Sequence, residues 1–529
     1  MNALSSVERR LLLFIIVLAP IAFWLYLGAP PLSKEEPRRN VIAMEMLFRD
    51  NMWVPTQTGD LYFRKPPMFN WMLIVLAQLA GGFTAWMPRL LSVLSHWMMA
   101  WLTYRMGRRY LGIREGVFAG LFTLVSADIL FYFSLMGEND LFFSLWIMLI
   151  FYSIFHFYQS KKPYALYLAV YALTSVGFLT KGLPAMVFLA ISLAVHWTMH
   201  KRWKALFSMA HFSGLLVFVA VVGGYFWMYS QHASLELYFK TLFEESFKRA
   251  VASAWWDRPL HMISFPLALA FYLLPASLFL VPVLLKHRHL LSQSLQKPYL
   301  RWLLVVAAVN LLVYWIAPGT RSRYLYMFFP LIIQWLVWME LRRQEEKEVP
   351  SLYLVVNLLL GLAMIIGGTV LPLLPGFVLL EGGTQWVIAL AVLGGFLHIY
   401  WSAARPQLAL WQWAVGFLFI RILMDISYVR IRGMTGNSFN HRQEAYRILE
   451  ASKNEPLFLY QDAYLRLNKV FYIERERKEV LSRRDTFEQA GFYVVSDRVY
   501  PQADTLGNIR MEWRDGEQAF YLIEYQSNN

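Results

Sequence analysis

Blocks of about twenty mainly apolar residues recur along the chain, and they constrain its fold more than any other feature. A helix of about 20 apolar residues crosses the hydrocarbon core of a bilayer. Hydrophobic residues make up 58% of the 529 residues and charged residues 16%, against about 45–50% and about 25% in soluble proteins. The sequence therefore predicts a mainly α-helical, polytopic membrane protein. It excludes a soluble enzyme and a disordered chain, and the absence of cysteine excludes disulfides and thiolate catalysis.

The apolar windows predict about thirteen transmembrane helices. These windows cover residues 11–28, 86–106, 115–135, 141–159, 163–180, 183–199, 211–230, 264–285, 302–317, 324–341, 353–374, 384–402 and 407–428. A shorter apolar run at 67–79 is either a further span or a helix lying in the membrane interface. The first window follows Arg9-Arg10 and has no clear cleavage site after it, so we interpret it as a retained helix.

Positive charge sets the predicted orientation. The chain carries 49 Lys and Arg against 35 Asp and Glu, a net charge of +14, but it has no long basic run. The positive-inside rule explains such a surplus better than nucleic-acid binding does. With 67–79 in the interface, the basic loops alternate and the N-terminus is cytoplasmic. The first loop, at about 29–85, and everything after 429 then face outside.

The C-terminal tail differs in composition from the rest of the chain, because it is polar throughout. One helix and three strand-like segments are predicted in it, at residues 439–452, 456–460, 491–495 and 520–525. We therefore predict two domains. Residues 1–430 form the transmembrane domain together with its outer loop, and residues 431–529 form a small extracytoplasmic α/β domain.

Charged residues also collect at the predicted outer ends of the spans. A transporter places its site near the bilayer midplane, whereas an enzyme acting on a lipid headgroup needs charges at the headgroup level. The acidic candidates are Glu35, Glu36, Glu138, Asp140 and Glu245. The basic candidates are Arg38, Lys65, Arg89, Lys181, Arg249, Arg321 and Arg323. Such a set suits transfer from an anionic lipid, since cations bind phosphate and a carboxylate can take a proton from the acceptor.

Four of the five acidic positions also have a simpler structural explanation. Glu35 and Glu36 lie at the N-terminus of a predicted helix, where the helix dipole favours carboxylates. Asp140 can cap the helix that follows it. Glu245 and Arg249 are four residues apart and can pair with each other. The residues alone leave both kinds of explanation open.

The order of these motifs resembles that of membrane glycosyltransferases of the GT-C fold, in the family of the lipid A aminoarabinose transferases and the protein O-mannosyltransferases. The similar segments follow one another over residues 10–340: Glu35-Glu36-Pro37-Arg38, Glu45-Met46-Leu47, Tyr62-Phe63-Arg64-Lys65-Pro66-Pro67, Met87-Pro88-Arg89-Leu90, Asn139-Asp140-Leu141-Phe142-Phe143, Phe178-Leu179-Thr180-Lys181-Gly182, Glu245 to Arg249, and Arg323-Tyr324-Leu325. The chain departs from the family pattern at three positions. Glu35 replaces the usual Asp, Arg64 the usual Glu and Ser246 the usual His.

The resemblance implies a glycosyltransferase at the outer face of the bacterial inner membrane. Its donor would be a polyprenyl-phosphate-linked sugar, its reaction one inverting displacement, and its acceptor lipid A, lipopolysaccharide or another envelope glycan. Glu35 or Asp140 would be the general base, with Glu36 as a further catalytic candidate. The donor phosphate would be bound by Lys65, Arg38, Arg89, Lys181, Arg249, Arg321 and Arg323. The substrate pocket would be lined by Tyr62, Glu138, Glu245 and Tyr324.

Metal dependence and two other functions stay open at this point. The sequence identifies no cofactor with certainty, and a divalent cation, if one binds, would use Glu35 and Asp140. A protein O-glycosyltransferase of the same fold would differ only in its acceptor. A flippase for a lipid-linked sugar predicts charges at midplane, where the sequence offers Asp128 and the pair Arg421–Asp425. The i, i+4 spacing of that pair favours a structural ion pair.

Overall fold

The computed structural model describes residues 4–241, 244, 257–346, 349–370, 383–453, 455–499, 508–515 and 518–526. Most of these residues are helical. The helices in the first half of the chain are α1 (Ser6–Trp24), α2 (Glu36–Phe48), α3 (Met68–Ala80), α4 (Trp86–Tyr110), α5 (Ile113–Leu124), α6 (Ala127–Phe131), α7 (Asn139–Gln159), α8 (Pro163–Lys181), α9 (Pro184–His200) and α10 (Met209–Ser230). Those that follow are α11 (Asp257–Tyr272), α12 (Leu280–Lys286), α13 (His289–Gln296), α14 (Pro298–Trp315), α15 (Phe329–Arg343), α16 (Ser351–Val370), α17 (Thr384–Ala404), α18 (Ala409–Met424), α19 (Asn437–Ser452) and α20 (Leu467–Arg477).

Every one of the predicted apolar windows contains a helix. Six described helices are long and apolar enough to cross a membrane, namely α7, α8, α10, α14, α16 and α17. A bent pair with an angle of 103°, Pro259–Tyr272 with Ala276–Lys286, would be a seventh. The chain is therefore a multi-pass membrane protein, while the number of thirteen crossings stays a prediction. The run at 67–79 forms α3, whose 13 residues extend only about 20 Å at 1.5 Å per residue.

The helices of two predicted spans are interrupted, and the two interrupted segments contact each other. The window at 115–135 divides into α5 and α6, and the window at 264–285 bends after α11. The Ala127 N–H, at the start of α6, donates a 2.8 Å hydrogen bond to the Leu274 carbonyl oxygen in the second break. Each break thus satisfies one backbone group of the other.

Contacts divide the chain into two compact units. The helical unit consists of residues 1–27, 89–227 and 239–431, and the mixed unit consists of residues 28–88, 228–238 and 432–529. The mixed unit therefore contains the predicted first outer loop together with the tail. Each unit carries some of the candidate residues.

In the helical unit, one hairpin positions the acidic candidate Asp140. Helix α7 begins at Asn139, and the antiparallel α8 ends at Lys181 because Gly182 follows with a φ of 82°. Glycine adopts such a positive φ without steric cost. The carboxylate in the first turn of α7 and the ammonium in the last turn of α8 both complement the helix dipoles.

The mixed unit contains a five-stranded sheet in the tail and a two-stranded ribbon in the first loop. The sheet has the order β4-β3-β5-β7-β6, and the strands of the unit are β1 (Thr56–Gln57), β2 (Asp60–Leu61), β3 (Leu457–Tyr460), β4 (Ser482–Arg484), β5 (Gly491–Ser496), β6 (Asn508–Asp515) and β7 (Gln518–Tyr525). The predicted helix at 439–452 is confirmed as α19, and the three predicted strands are confirmed as β3, β5 and β7. Helix α20 packs against both α19 and α2.

Candidate functional site

Asp140 lies in a buried ion-pair cluster and does not cap its helix. Glu138 occupies the N-cap position of α7, and Asp140 lies in the first turn. The Asp140 Oδ1 atom is 2.6 Å from Lys181 Nζ, and the two side chains are 4% and 10% exposed. The capping explanation is therefore wrong for Asp140, whose carboxylate faces a cation brought by α8.

Arg323 joins the same cluster from the segment before α15. Its guanidinium pairs with the Glu138 carboxylate, and its Nε lies 3.8 Å from Asp140 Oδ2. Burial lowers the pKa of Arg323, but the charges of Asp140 and Glu138 outweigh burial and raise it. The guanidinium therefore stays charged. We call Glu138, Asp140, Lys181 and Arg323 the charged quartet.

Aromatic rings enclose the cations of the charged quartet. Lys181 Nζ lies 5.0 Å from the centre of the Phe143 ring and 4.7 Å from that of Tyr324. The Arg323 guanidinium carbon lies 5.4 Å from the same Tyr324 ring. Cation–π contacts gain strength when they are desolvated. These aromatic rings therefore stabilise the positive charges of Lys181 and Arg323 and limit the access of water to them.

Other candidates of the helical unit differ in their surroundings. Arg89 is 1% exposed and donates a 2.9 Å hydrogen bond to the Leu27 carbonyl oxygen. Arg321 is exposed and has no ion-pair partner among the described residues. Glu245 and Arg249 lie outside the described residues, so the pairing expected for them stays a prediction.

In the mixed unit, the two adjacent glutamates of the first loop have different environments. Glu35 is the N-cap residue of α2 and pairs with Arg38, and its side chain is 40% exposed. Glu36 is fully buried and accepts a 2.9 Å hydrogen bond from the Ser33 N–H. Arg38 also donates a 3.1 Å bond to Gln57 in β1. Glu35 is thus the more accessible carboxylate, and Glu36 helps to hold the start of α2.

The aromatic and basic candidates further along the first loop lie next to β2. Tyr62 is 6% exposed, and its N–H donates a 2.9 Å hydrogen bond to the Pro55 carbonyl oxygen. Lys65 is half-buried just before α3. The Trp71 indole in the first turn of α3 donates a 2.7 Å bond to the Met52 carbonyl oxygen. These contacts hold the loop that carries Lys65 against the start of α3.

A buried carboxylate pair was missed by the sequence analysis. Glu45 in α2 and Glu474 in α20 are both fully buried. Burial raises the pKa of Glu45, although hydrogen bonds from Thr56, Gly59 and Thr58 oppose the increase. Burial and repulsion from Glu45 raise the pKa of Glu474 well above its usual range. Only the packing of α2 on α20 reveals this pair, because 428 intervening residues separate its members in sequence.

One group among the described residues has metal-ligand geometry, and it contains neither Glu35 nor Asp140. Ligand atoms of His441, Glu444 and Asp515 lie within 4.8 Å of one another. Lys469 Nζ lies 2.6 Å from Glu444 Oε2 and 2.9 Å from Asp515 Oδ2. An ammonium thus supplies the positive charge that a metal ion would provide.

Two sequence comparisons match part of the chain. Residues 64–227, which include Lys65, Arg89, Asp140 and Lys181, match the family model described as dolichyl-phosphate-mannose-protein mannosyltransferase. Over 172 residues, 32% of this chain, the sequence is 28% identical to undecaprenyl phosphate-alpha-4-amino-4-deoxy-L-arabinose arabinosyl transferase 1 of Pseudomonas fluorescens (strain Pf0-1). The chain spans 30% of the length of that curated relative.

Two solved structures match almost the whole chain. ArnT from Cupriavidus metallidurans bound to undecaprenyl phosphate superposes with a TM-score of 0.69 and 16% identity, over 96% of this chain and 97% of that one. The apo form of the same protein gives a TM-score of 0.67 and 16% identity, over 98% of each chain. At this level of identity the match establishes the fold.

Proposed function

We propose that this chain, an ArnT-like membrane protein of the GT-C fold, is a glycosyltransferase that uses a polyprenyl-phosphate-linked sugar. The acceptor is lipid A, lipopolysaccharide or another envelope glycan, and the reaction takes place at the outer face of the bacterial inner membrane. The partial sequence matches to one undecaprenyl-phosphate-sugar transferase and to the family model of dolichyl-phosphate-mannose-protein mannosyltransferases support the donor class. The proposal includes the cytoplasmic N-terminus and the outward-facing tail expected from the basic loops.

One observation carries the proposal. Asp140 is buried between two cations, Lys181 and Arg323. The Nε of Arg323 is buried and has no hydrogen-bond acceptor among the described residues. A donor phosphate offers oxygens to both cations, and Arg and Lys are the usual phosphate-binding side chains. The charged quartet can therefore exchange its internal ion pairs for contacts with a phosphate.

This exchange suggests how the carboxylate is activated. When Lys181 and Arg323 turn to the donor phosphate, the Asp140 carboxylate loses part of its compensation and becomes a stronger base. The acceptor hydroxyl oxygen then forms a bond to the anomeric carbon, and its proton passes to Asp140. The bond from that carbon to the phosphate oxygen breaks, and its electron pair leaves with polyprenyl phosphate. One displacement of this kind inverts the anomeric configuration.

The remaining candidates have supporting roles in the proposal. Glu35 is the alternative general base, because its side chain is exposed and faces Arg38, while Glu36 supports it from within the fold. Further phosphate contacts are assigned to Lys65, Arg38, Arg89, Arg249 and Arg321. The substrate pocket is assigned to Tyr62, Glu138, Glu245 and Tyr324.

A reconstituted transfer assay tests the proposal. Purified protein in lipid is given an undecaprenyl-phosphate-linked sugar and lipid A, and both free undecaprenyl phosphate and the mass of the acceptor are measured. Asp140→Asn is expected to abolish transfer if Asp140 is the base, whereas Glu35→Gln abolishes it if Glu35 is. Full activity of both variants would overturn the assignment of the general base. If the wild-type protein leaves the donor intact and the acceptor unmodified, the proposal that it is a transferase is wrong.

The same assay separates the alternative functions. The family model matched by residues 64–227 describes protein mannosyltransferases, so sugar appearing on a membrane protein would favour a protein acceptor. Movement of intact donor across a vesicle would favour a flippase. The described charges inside the helical unit do not favour the flippase, because Arg421 and Asp425 pair at 2.8 Å and Asp128 accepts a 2.7 Å hydrogen bond from Tyr326.

A further inference from the structure

The mixed unit contains a polar cavity that the proposed function does not use. Its volume is about 610 Å³. Lys34 and Pro37, which flank Glu35 and Glu36 in sequence, line one part of it. The remaining walls come from the first turn of α19, the start of α20 and the end of β6. The cavity therefore adjoins the segment that carries the candidate base Glu35.

Positive charge predominates around this cavity. Lys34, Arg466 and Arg514 line it, and Lys469 lies behind its acidic residues. Asp515 is compensated by Lys469 at 2.9 Å and by Arg466 at 3.2 Å. Glu444 is compensated by Lys469 at 2.6 Å. Four cations thus face two carboxylates, and the exposed Arg514 has no ion-pair partner among the described residues.

Asn468 adds a hydrogen-bond donor to the cavity wall. Asn468 is 8% exposed and lines the cavity. Its Oδ1 accepts a 3.1 Å hydrogen bond from the Lys469 N–H, but its Nδ2 group has no acceptor within the described part of the chain. A ligand oxygen in the cavity can therefore accept a hydrogen bond from this group.

Two helices add to the preference for an anion. The 16-residue α19 and the 11-residue α20 both begin at the cavity, and a helix N-terminus carries partial positive charge. Polar side chains in the first turn of α19, from Asn437, Ser438 and Asn440, line the same space. Amides and hydroxyls of this kind form hydrogen bonds with sugar hydroxyl groups. The lining therefore suits a ligand that is both anionic and hydroxylated.

We propose that this cavity binds the anionic saccharide part of the acceptor, a sugar phosphate. Arg514, Arg466 and Lys34 contact the phosphate, and Asn468 donates to one of its oxygens. The amides of α19 contact the sugar. Naming the ligand as the acceptor rests on the proposed transferase function, whereas binding of a sugar phosphate can be tested independently of it.

Binding to the purified full-length protein tests the site directly. The probes are glucosamine 1-phosphate, glucosamine and inorganic phosphate, each measured by titration calorimetry. We expect glucosamine 1-phosphate to bind, glucosamine to show no binding and inorganic phosphate to bind at least tenfold more weakly. Equal binding of inorganic phosphate would reveal a free-phosphate site and overturn the saccharide assignment, and so would a lack of binding by all three probes.

Paired substitutions on one strand locate the site. Arg514→Gln removes a cavity cation, whereas Arg510→Gln removes an exposed arginine of β6 that pairs with Glu524 outside the cavity. Arg514→Gln is expected to weaken glucosamine 1-phosphate binding about tenfold, and Arg510→Gln to leave it unchanged. Equal effects of the two variants on binding would contradict the assignment of the binding site to this cavity. Tight Zn²⁺ binding that is lost in His441→Ala would instead identify a metal site and overturn the proposal.

Kinetics separate this inference from the transferase proposal. In the transfer assay, Arg514→Gln should raise the KM for the acceptor about tenfold and leave the KM for the donor unchanged. If glucosamine 1-phosphate binds at Arg514 but the wild type transfers no sugar, the transferase proposal fails and the binding site stands. If transfer proceeds and Arg514→Gln leaves the acceptor KM unchanged, the acceptor site fails and the transferase stands.

Discussion

The ammonium of Lys181 lies 2.6 Å from the carboxylate of Asp140, at the point where the end of α8 meets the start of α7. Both side chains are almost completely buried. Each charge lies at the helix terminus whose dipole stabilises it. A phosphate that binds Lys181 must therefore compete with an ion pair that the hairpin already stabilises.

Substitutions in this pair should separate its contribution to stability from its contribution to catalysis. Asp140→Asn leaves two buried cations with less compensation, and breaking a buried pair costs about 3–5 kcal/mol. The double variant Asp140→Asn with Lys181→Met removes one of those cations and should recover part of the lost stability. Transfer should stay low in both the single and the double variant, because loss of a general base lowers kcat by about 10²–10⁴-fold. Thermal unfolding and kcat, measured on the same preparations, check both expectations.

A matched control for these variants is Lys297→Gln, since Lys297 is exposed and lies far from the charged quartet in sequence. It should leave both the unfolding temperature and kcat unchanged. Recovery of transfer in the double variant would show that Asp140 has only a structural role.

The contribution of Arg323 to donor binding should depend on the shape of its side chain as well as on its charge. Its guanidinium contacts both Glu138 and Asp140, and a lysine ammonium cannot make the same two-sided contact. Arg323→Lys should therefore raise the KM for the donor about tenfold, and Arg323→Gln about 100-fold, since about 1.4 kcal/mol corresponds to a factor of ten. The exposed Arg321 provides a comparison, and Arg321→Gln should have a smaller effect. Equal effects at 321 and 323 would argue against a special role of the quartet.

The sequence predicted the helices of the helical unit well, because apolar periodicity and length determine them locally. It also placed Asp140 and Lys181 at the same predicted end of the spans, since Gly182 closes α8 next to the start of α9. It did not predict that Arg323 contacts Asp140, because that contact depends on tertiary packing across 182 intervening residues.

The tail was less predictable, for physical reasons. Helix α20 has the sequence LNKVFYIERER, in which apolar and charged residues are almost equally frequent. Its burial against α2 and α19 cannot be inferred from such a pattern. The cavity at the start of α19 and α20 was missed for the same reason, since it exists only once Lys34, Asn468 and Arg514 are brought together.

The buried pair Arg421–Asp425 should stabilise the fold without taking part in transfer. Both side chains are fully buried and lie 2.8 Å apart, and Arg421 also donates a 2.6 Å hydrogen bond to Ser134. Asp425→Ala should lower the free energy of unfolding by about 3–5 kcal/mol, because it leaves a buried arginine unpaired. The double variant Arg421→Met with Asp425→Leu should recover most of that loss.

Activity per folded molecule distinguishes the two possible roles of this pair. A structural pair predicts that the double variant retains wild-type kcat in the transfer assay. A large loss of kcat in a stable double variant would instead indicate that these charges move or bind substrate, as a flippase requires.

Glu474 should make the stability of the protein depend on pH. Burial and the nearby Glu45 raise the pKa of Glu474 well above its usual range, and Arg49 only partly opposes them. The folded protein therefore retains a proton that the unfolded chain releases near its ordinary pKa of about 4.3. Stability must then fall as the pH rises from that value through the folded pKa. Glu474→Gln removes this dependence and keeps an oxygen that can accept the 3.0 Å hydrogen bond from the Leu481 N–H.

The difference in unfolding temperature between Glu474→Gln and the wild type should therefore grow from pH 5 to pH 8, with the variant more stable at the higher pH. Glu455→Gln is the matched control, because Glu455 is exposed, and its difference from the wild type should not change with pH. Thermal unfolding at pH 5, 6.5 and 8 checks both expectations. A difference that stays constant or shrinks as the pH rises would show that Glu474 is ionised in the folded protein, and that the two buried carboxylates do not share the environment inferred for them.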